Sequence, residues 1–186
     1  MQEPFFEPIL RKMRIRRVLP YIREHRDCQL LDIGCGWDAS FLKSVEPYIK
    51  SGVGVDFKAP ILTAGKIRTE RLTLQDHLPF TDASFDLVTM LAVLEHLENP
   101  KAILQEIYRV LRPGGNLVLT VPSRAAQPVL EFLAFDLGVV SRAEIADHKV
   151  YYNRATLTLL LEEVGLEVTT HRYFQLWMNN FCVASR

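Results

Sequence analysis

At 186 residues the chain is long enough for one domain with a sizeable core and too short for two full-sized ones. Hydrophobic residues make up 48% and charged residues 24%, and 22 Lys plus Arg balance 22 Asp plus Glu, so no net charge draws the protein to nucleic acid, which is not an expected partner. The longest uncharged apolar run, 87–94, is far short of the roughly 20 residues of a membrane span; with no apolar run behind the basic stretch 11–17 and three cysteines lacking C-x-x-C spacing, a cytoplasmic protein without a disulfide framework or zinc site is expected.

Apolar residues at helical intervals (Ile9, Met13, Val18, Tyr21, Ile22), with Arg and Lys between them, predict a helix over 9–25. Next comes Leu30-Leu31-Asp32-Ile33-Gly34-Cys35-Gly36-Trp37-Asp38, a short apolar run that ends in an acid and breaks on two glycines. It reads as a buried strand at 28–33, a tight turn, and a helix from Ala39 to about Tyr48. Glycine has no Cβ, so a ligand can lie against the turn while the helix's first N–H groups face its anionic end. Gly34 to Ala39 fits G-x-G-x-x-G/A, and Asp56 follows about 20 residues on, a spacing that NAD shares with other nucleotides.

A second strand at 51–57 carries Asp56 to the carboxyl edge of the sheet, where it can accept both ribose hydroxyls. A helix is expected at 61–67, opened by Ala59-Pro60, and a third strand at 71–74. Gln75-Asp76-His77-Leu78-Pro79-Phe80 is a loop and Thr81-Asp82-Ala83-Ser84 a turn. The nearly continuous apolar run 85–91 is strand four, as a buried parallel strand should read. Leu94-Glu95-His96-Leu97 follows, Asn99-Pro100 opens a helix through Leu111, Arg112-Pro113-Gly114-Gly115 stops it, and 116–121 is strand five. After an apolar segment at 125–140 come a helix at 153–164 and strands at 166–172 and 174–184. This alternation predicts an α/β fold with a doubly wound, mostly parallel, Rossmann-like sheet in a single domain over 1–186, with 123–152 the only insert.

Taken together, five motifs in order resemble those of class I S-adenosylmethionine-dependent methyltransferases, in particular the small-molecule branch that includes the ubiquinone and menaquinone biosynthesis enzymes. They are Leu31-Asp32-Ile33-Gly34-Cys35-Gly36; Gly54-Val55-Asp56; Asp76-His77-Leu78-Pro79-Phe80 with Ser84-Phe85-Asp86; Leu94-Glu95-His96 with Val110-Leu111-Arg112-Pro113-Gly114-Gly115; and Leu160-Leu161-Glu162-Glu163-Val164-Gly165-Leu166. A nicotinamide enzyme has no reason to carry the Leu-Pro-Phe loop or Arg-Pro-Gly-Gly. The resemblance implies a sheet of about seven strands with an antiparallel last strand, S-adenosylmethionine as cofactor, and a small-molecule or lipid-like acceptor. It places Gly34 and Gly36 along the methionine part with Asp32 near its ammonium, Asp56 on the ribose, Phe57 beside the adenine, Asp76 on the adenine amino group, the His77 backbone at the ring, and the Leu91 carbonyl at the methionine end.

One departure stands out: Asp38, preceded by Trp37, sits where the family usually has a third glycine. Asp38 suits a helix N-cap but sets a carboxylate near the cofactor's own. It is the main support for a second reading, a non-catalytic binding or regulatory module that keeps the fold; a nicotinamide oxidoreductase is the third. Methyl transfer from a sulfonium needs positioning and exclusion of water above all, and a general base only for an acceptor such as a hydroxyl. The candidates for orienting or deprotonating one are His148 and Tyr151, with Glu95, His96 and Tyr152 as further groups. No metal-ligand spacing is evident. The apolar insert, with Val129, Leu130, Phe132, Leu133, Phe135 and Leu137, reads equally as a substrate lid or as a helix buried on the core or in a homodimer interface.

Overall fold

A computed structural model describes residues 7–136 and 140–186. Helix α1 (Glu7–Glu24) covers the expected periodic stretch. Val18 and Ile22 are fully buried in one cluster with Leu30, Leu87, Val118 and Phe181, and Ile15 packs against it, whereas Ile9 and Met13 stay exposed.

Strands β1 (Gln29–Ile33), β2 (Ser51–Asp56), β3 (Leu62–Ala64), β4 (Ile67–Arg71), β5 (Phe85–Leu91), β6 (Leu111–Pro122), β7 (Glu167–Phe174) and β8 (Asn179–Ser185) form one sheet among the described residues, in the order β3-β4-β2-β1-β5-β6-β8-β7. The central pairings from β4 to β6 are parallel, and β8 runs antiparallel between β6 and β7. This is the expected doubly wound sheet with its reversed last strand, plus one strand at the edge.

That extra strand corrects the sequence reading. The helix expected at 61–67 is absent, and the third parallel strand lies at Ile67–Arg71 rather than 71–74. Leu62–Ala64 folds back on it as an antiparallel hairpin through Gly65, at φ +56°. Ile67 and Thr69 are buried and Arg68 is exposed, the period-2 alternation of a half-buried strand, and the Thr69 hydroxyl donates to the Pro60 carbonyl at 2.6 Å. Alternation and β-branching outweigh the proline as a helix signal.

The helices follow their punctuation. Helix α2 (Ser40–Val45) runs into a single 3₁₀ turn at Glu46–Tyr48. Asn99 caps α3 (Pro100–Val110) by accepting from the Ala102 N–H at 3.3 Å. The insert contains α4 (Gln127–Glu131), a π-helical stretch at Phe132–Asp136 and α5 (Arg142–Ala146); Leu137 and Gly138 lie outside the described residues. Asn153 and Thr156 form a capping box on α6 (Arg154–Glu162).

Two apolar layers sandwich the sheet, one built on α1 and α2, the other on α3 and α6. The insert adds little to either. Val129, Phe132 and Phe135 are 40%, 53% and 47% exposed, which removes the reading of an apolar helix buried on this chain's own core. The insert leaves and returns at one point, where Ser123 pairs with Tyr152 and the Arg124 N–H donates to the Tyr152 carbonyl at 3.2 Å.

Candidate functional site

The glycine turn is hydrogen-bonded to the end of the neighbouring strand. The N–H groups of Gly34 and Cys35 both donate to the Val55 carbonyl, at 2.8 and 3.2 Å, and the Gly36 N–H donates to Asp56 Oδ2 at 3.2 Å. The two glycines serve different ends. Both take positive φ, but a Cβ at Gly34 would lie 2.2 Å from a methyl of Val93, whereas a Cβ at Gly36 would meet only Asp38 Oδ1, at 3.9 Å. Gly34 lets the turn pass under Val93; Gly36 leaves open space on its face. Asp38 is not the cap of α2: the N-cap is Ala39, at φ +50° and without a side-chain cap bond, and Asp38 Oδ1 accepts the N–H of Ser40, the first helical residue, at 3.2 Å from the position before it. Trp37 projects with 67% exposure.

Around the turn the candidate contacts fall into three settings. Asp32 is 2% exposed and accepts the Thr89 hydroxyl at 2.7 Å. Burial pushes its pKa up to about 7, with Thr89 opposing the shift and Asp56 adding to it. Asp56 is half-buried at the end of β2, each oxygen holding one backbone N–H, that of Gly36 and that of Lys58 (2.7 Å). A carboxylate has about four acceptor sites, so capacity remains for two ribose hydroxyls. Phe57 beside it is exposed, with the Lys58 ammonium 4.7 Å from its ring centre. Leu91 ends β5, and Ala92 after it turns to φ +58°.

Asp76 and His77 lie on the next loop, both exposed. The Asn99 amide donates to Asp76 Oδ1 at 3.1 Å, tying the loop to the cap of α3. The His77 ring turns to Glu106, with Nδ1 2.7 Å from Oε2. Below them Arg109, which sequence reasoning did not single out, explains the Leu-Pro-Phe motif. Its guanidinium donates to the carbonyls of Phe80 (2.7 Å) and Leu78 (3.0 Å) and pairs with Glu106 and Asp82. Hydrogen bonding from Arg109 holds the Glu106 carboxyl down at about 2.

A second group of polar side chains forms where the insert returns to the sheet. The Lys149 N–H donates to the Glu95 carbonyl at 2.7 Å, His96 Nδ1 lies 3.0 Å from Asp147 Oδ2, and His148 Nδ1 lies 3.0 Å from the Tyr151 hydroxyl. Burial first, and the neighbouring His96 second, lower His148 to about 4; burial raises Tyr151 and Tyr152 to about 12. His148, Lys149 and Tyr151 line a cavity of about 760 Å³ together with Arg124, Gln127, Glu131 and Phe135. The structure thus divides the predicted residues into two neighbourhoods, the glycine turn with Asp56 and the insert with its cavity. The convergence of Glu95 and His96 with His148 was invisible at a separation of more than 50 residues along the chain.

Comparison with known proteins agrees with the architecture. Residues 9–171 match the family model described as a methyltransferase domain. The chain belongs to this methyltransferase family. It is 31% identical to the demethylmenaquinone methyltransferase of Lactiplantibacillus plantarum over 62% of this chain and 54% of that protein. Against that of Roseiflexus castenholzii it is 31% identical over 77% of this chain and 57% of that protein. The chain therefore spans about half the length of the curated relatives it matches. Among solved structures, the chain bound to the Haloferax volcanii Trm112 methyltransferase activator superposes with a TM-score of 0.74 at 16% identity, covering 94% of this chain and 90% of that one. An S-adenosylmethionine-dependent methyltransferase from Mesorhizobium loti gives 0.69 at 18% identity, covering 91% and 97%. These superpositions establish the fold. S-adenosylmethionine is the cofactor of the family, and the turn fits such a molecule: the space beside Gly36 that a side chain would fill is open, and Asp56 faces it from the adjoining strand. Among the described residues no helix is long and apolar enough to cross a membrane.

Proposed function

We propose that this chain binds S-adenosylmethionine at the turn around Gly34 and Gly36 and directs its methyl group to a small or lipid-like acceptor held beside the insert. The observation that carries the reading is the pairing of the Gly36 N–H with Asp56, a carboxylate suited to ribose hydroxyls beside a backbone face that only Asp38 Oδ1 approaches within 4 Å. When bound, the cofactor supplies a methyl group on a cationic sulfur, ready for in-line displacement. The protein's own part is to position and to exclude water. Asp56 holds the ribose; Phe57 and the loop of Asp76 and His77 flank the adenine; the Leu91 carbonyl lies at the methionine end.

The acceptor belongs in the cavity of about 760 Å³, a size within the range of small-molecule sites. Phe135 offers it an apolar wall, and Tyr151 a hydroxyl whose direction His148 fixes across 3.0 Å. The insert acts as a lid, its exposed apolar face at Val129 and Phe132 closing over the acceptor or against a second copy of the chain. The test is formation of S-adenosylhomocysteine when the protein meets S-adenosylmethionine and a panel of phenols and quinols. Turnover that depends on Asp56 and falls in Tyr151→Phe supports the reading. Tight cofactor binding with no turnover on any of them would favour the non-catalytic module.

A further inference from the structure

At the carboxyl end of β5, Glu95, His96 and His148 each bring one donor atom to within 4.8 Å of the other two. Glu95 is 1% exposed and both imidazoles are half-buried. Two nitrogens and one carboxylate oxygen from three side chains make a donor set suited to a first-row divalent ion, with coordination positions left over. We infer that Glu95, His96 and His148 form a binding site for one divalent transition-metal ion that fastens the insert to the sheet beside the cavity.

The surroundings already orient the ligands as such a site requires. Asp147 Oδ2 lies 3.0 Å from His96 Nδ1, and a carboxylate there fixes the proton on Nδ1 and leaves the Nε2 lone pair for the metal. The Tyr151 oxygen lies 3.0 Å from His148 Nδ1 and can do the same for the second ring. The two rings meet edge to face with centres 4.8 Å apart. The Lys149 ammonium is drawn to Glu98 (3.1 Å) and Asp147 (3.5 Å). The Lys149 N–H to Glu95 carbonyl bond holds the two chain segments in register next to the ligands, at 2.7 Å. His148 also lines the cavity, so the ion would face the space assigned to the acceptor, where an oxygen of a bound molecule could complete its coordination. The inference stands on the cluster's own geometry and would survive failure of the methyl-transfer reading.

The experiment is titration of the tag-free, chelator-treated full chain with Co²⁺, followed by visible absorption and by displacement with Zn²⁺. The expected result is one equivalent of Co²⁺ per chain with ligand-field bands of nitrogen and oxygen donors, discharged by Zn²⁺. His96→Ala and His148→Ala each abolish the bands, and Asp147→Asn, which touches only the outer partner of His96, weakens affinity about 10–100-fold. Glu95→Gln should do the same as the His variants, but its burial puts folding at stake, so the two His variants, checked for native circular dichroism, decide. Absence of a stoichiometric equivalent, bands that persist in both His variants, or thiolate charge-transfer bands from Cys28, Cys35 or Cys182 would each overturn the site.

Discussion

The two neighbourhoods on the ligand side are held in opposite ways. The turn from Gly34 to Gly36 is fixed by backbone N–H groups bonded into the end of β2 and by the steric fit of Gly34 under Val93. The insert is fastened at its base by the Ser123 and Tyr152 pairing and by Lys149 to Glu95, and internally by Arg142, which donates to the carbonyls of Ala134 and Phe135 at 2.9 Å. Its large apolar side chains remain half exposed. On the proposed reading the cofactor's place is built into the sheet, where moving it would break the ladder, and the acceptor's is on a segment attached at few points, where change costs the core little.

Changes at the turn should therefore be costly and changes in the insert cheap. The largest effect is expected at Gly34. Gly34→Ala places a Cβ 2.2 Å from the Val93 methyl on a residue at φ +78°, and the clash and the backbone strain together cost about 2–4 kcal/mol of stability, read by urea unfolding. Gly36→Ala meets no such clash, so a stability loss as large as at Gly34 would break the distinction drawn between the two glycines.

Asp32 comes next, through pH. Burial raises its pKa from the ordinary aspartate value of 3.8 to about 7. The folded state thus holds a proton that the unfolded chain has released, and the contribution is complete below about pH 4 and lost as pH rises to about 7. Asp32→Asn should flatten that fall and leave the protein more stable at pH 8, by on the order of 1–3 kcal/mol. Parallel stability curves for the two proteins from pH 5 to 8 would contradict the buried, protonated carboxyl. Asp56→Ala should weaken S-adenosylmethionine binding, with about 1.5–3 kcal/mol at stake for each ribose hydrogen bond to the charged group.

The sheet was legible because its signals are redundant. In β1 apolar continuity, the break at glycine and the acid near the strand end all agree, and in β5 a seven-residue, nearly continuous apolar run is signal enough. Residues 61–71 went wrong because one loud signal, Ala59-Pro60, masked a quiet one, the alternation of Ile67, Arg68 and Thr69 beyond Gly65. The candidate cofactor residues could be grouped in advance because motif and strand end coincide. The cluster at the insert could not: Glu95, His96 and His148 can each be named as candidates, but His148 meets the other two only after the chain has passed through the whole of β6 and the insert, and no local spacing encodes that meeting.

The smallest effects sharpen the contrast. Asp38→Gly removes the carboxylate that accepts the Ser40 N–H from outside the cap position, a change that should cost about 0.5 kcal/mol of stability or less. It should tighten cofactor binding at low ionic strength by a margin that shrinks as salt screens the repulsion. Phe132→Ala, at 53% exposure, should leave stability within about 0.5 kcal/mol of the parent while lowering acceptor turnover. A loss of several kcal/mol, or dissociation of a dimer, would show instead that the apolar face is already covered.

The most direct measurement is calorimetric titration of the wild-type chain and Asp56→Ala with S-adenosylmethionine, S-adenosylhomocysteine and NAD. The account predicts one molecule of S-adenosylmethionine or S-adenosylhomocysteine per chain, weakened at least tenfold in Asp56→Ala, the counterpart of about 1.4 kcal/mol, with NAD binding more weakly than either. NAD bound as tightly as S-adenosylmethionine, or an affinity indifferent to Asp56 in a folded variant, would contradict it.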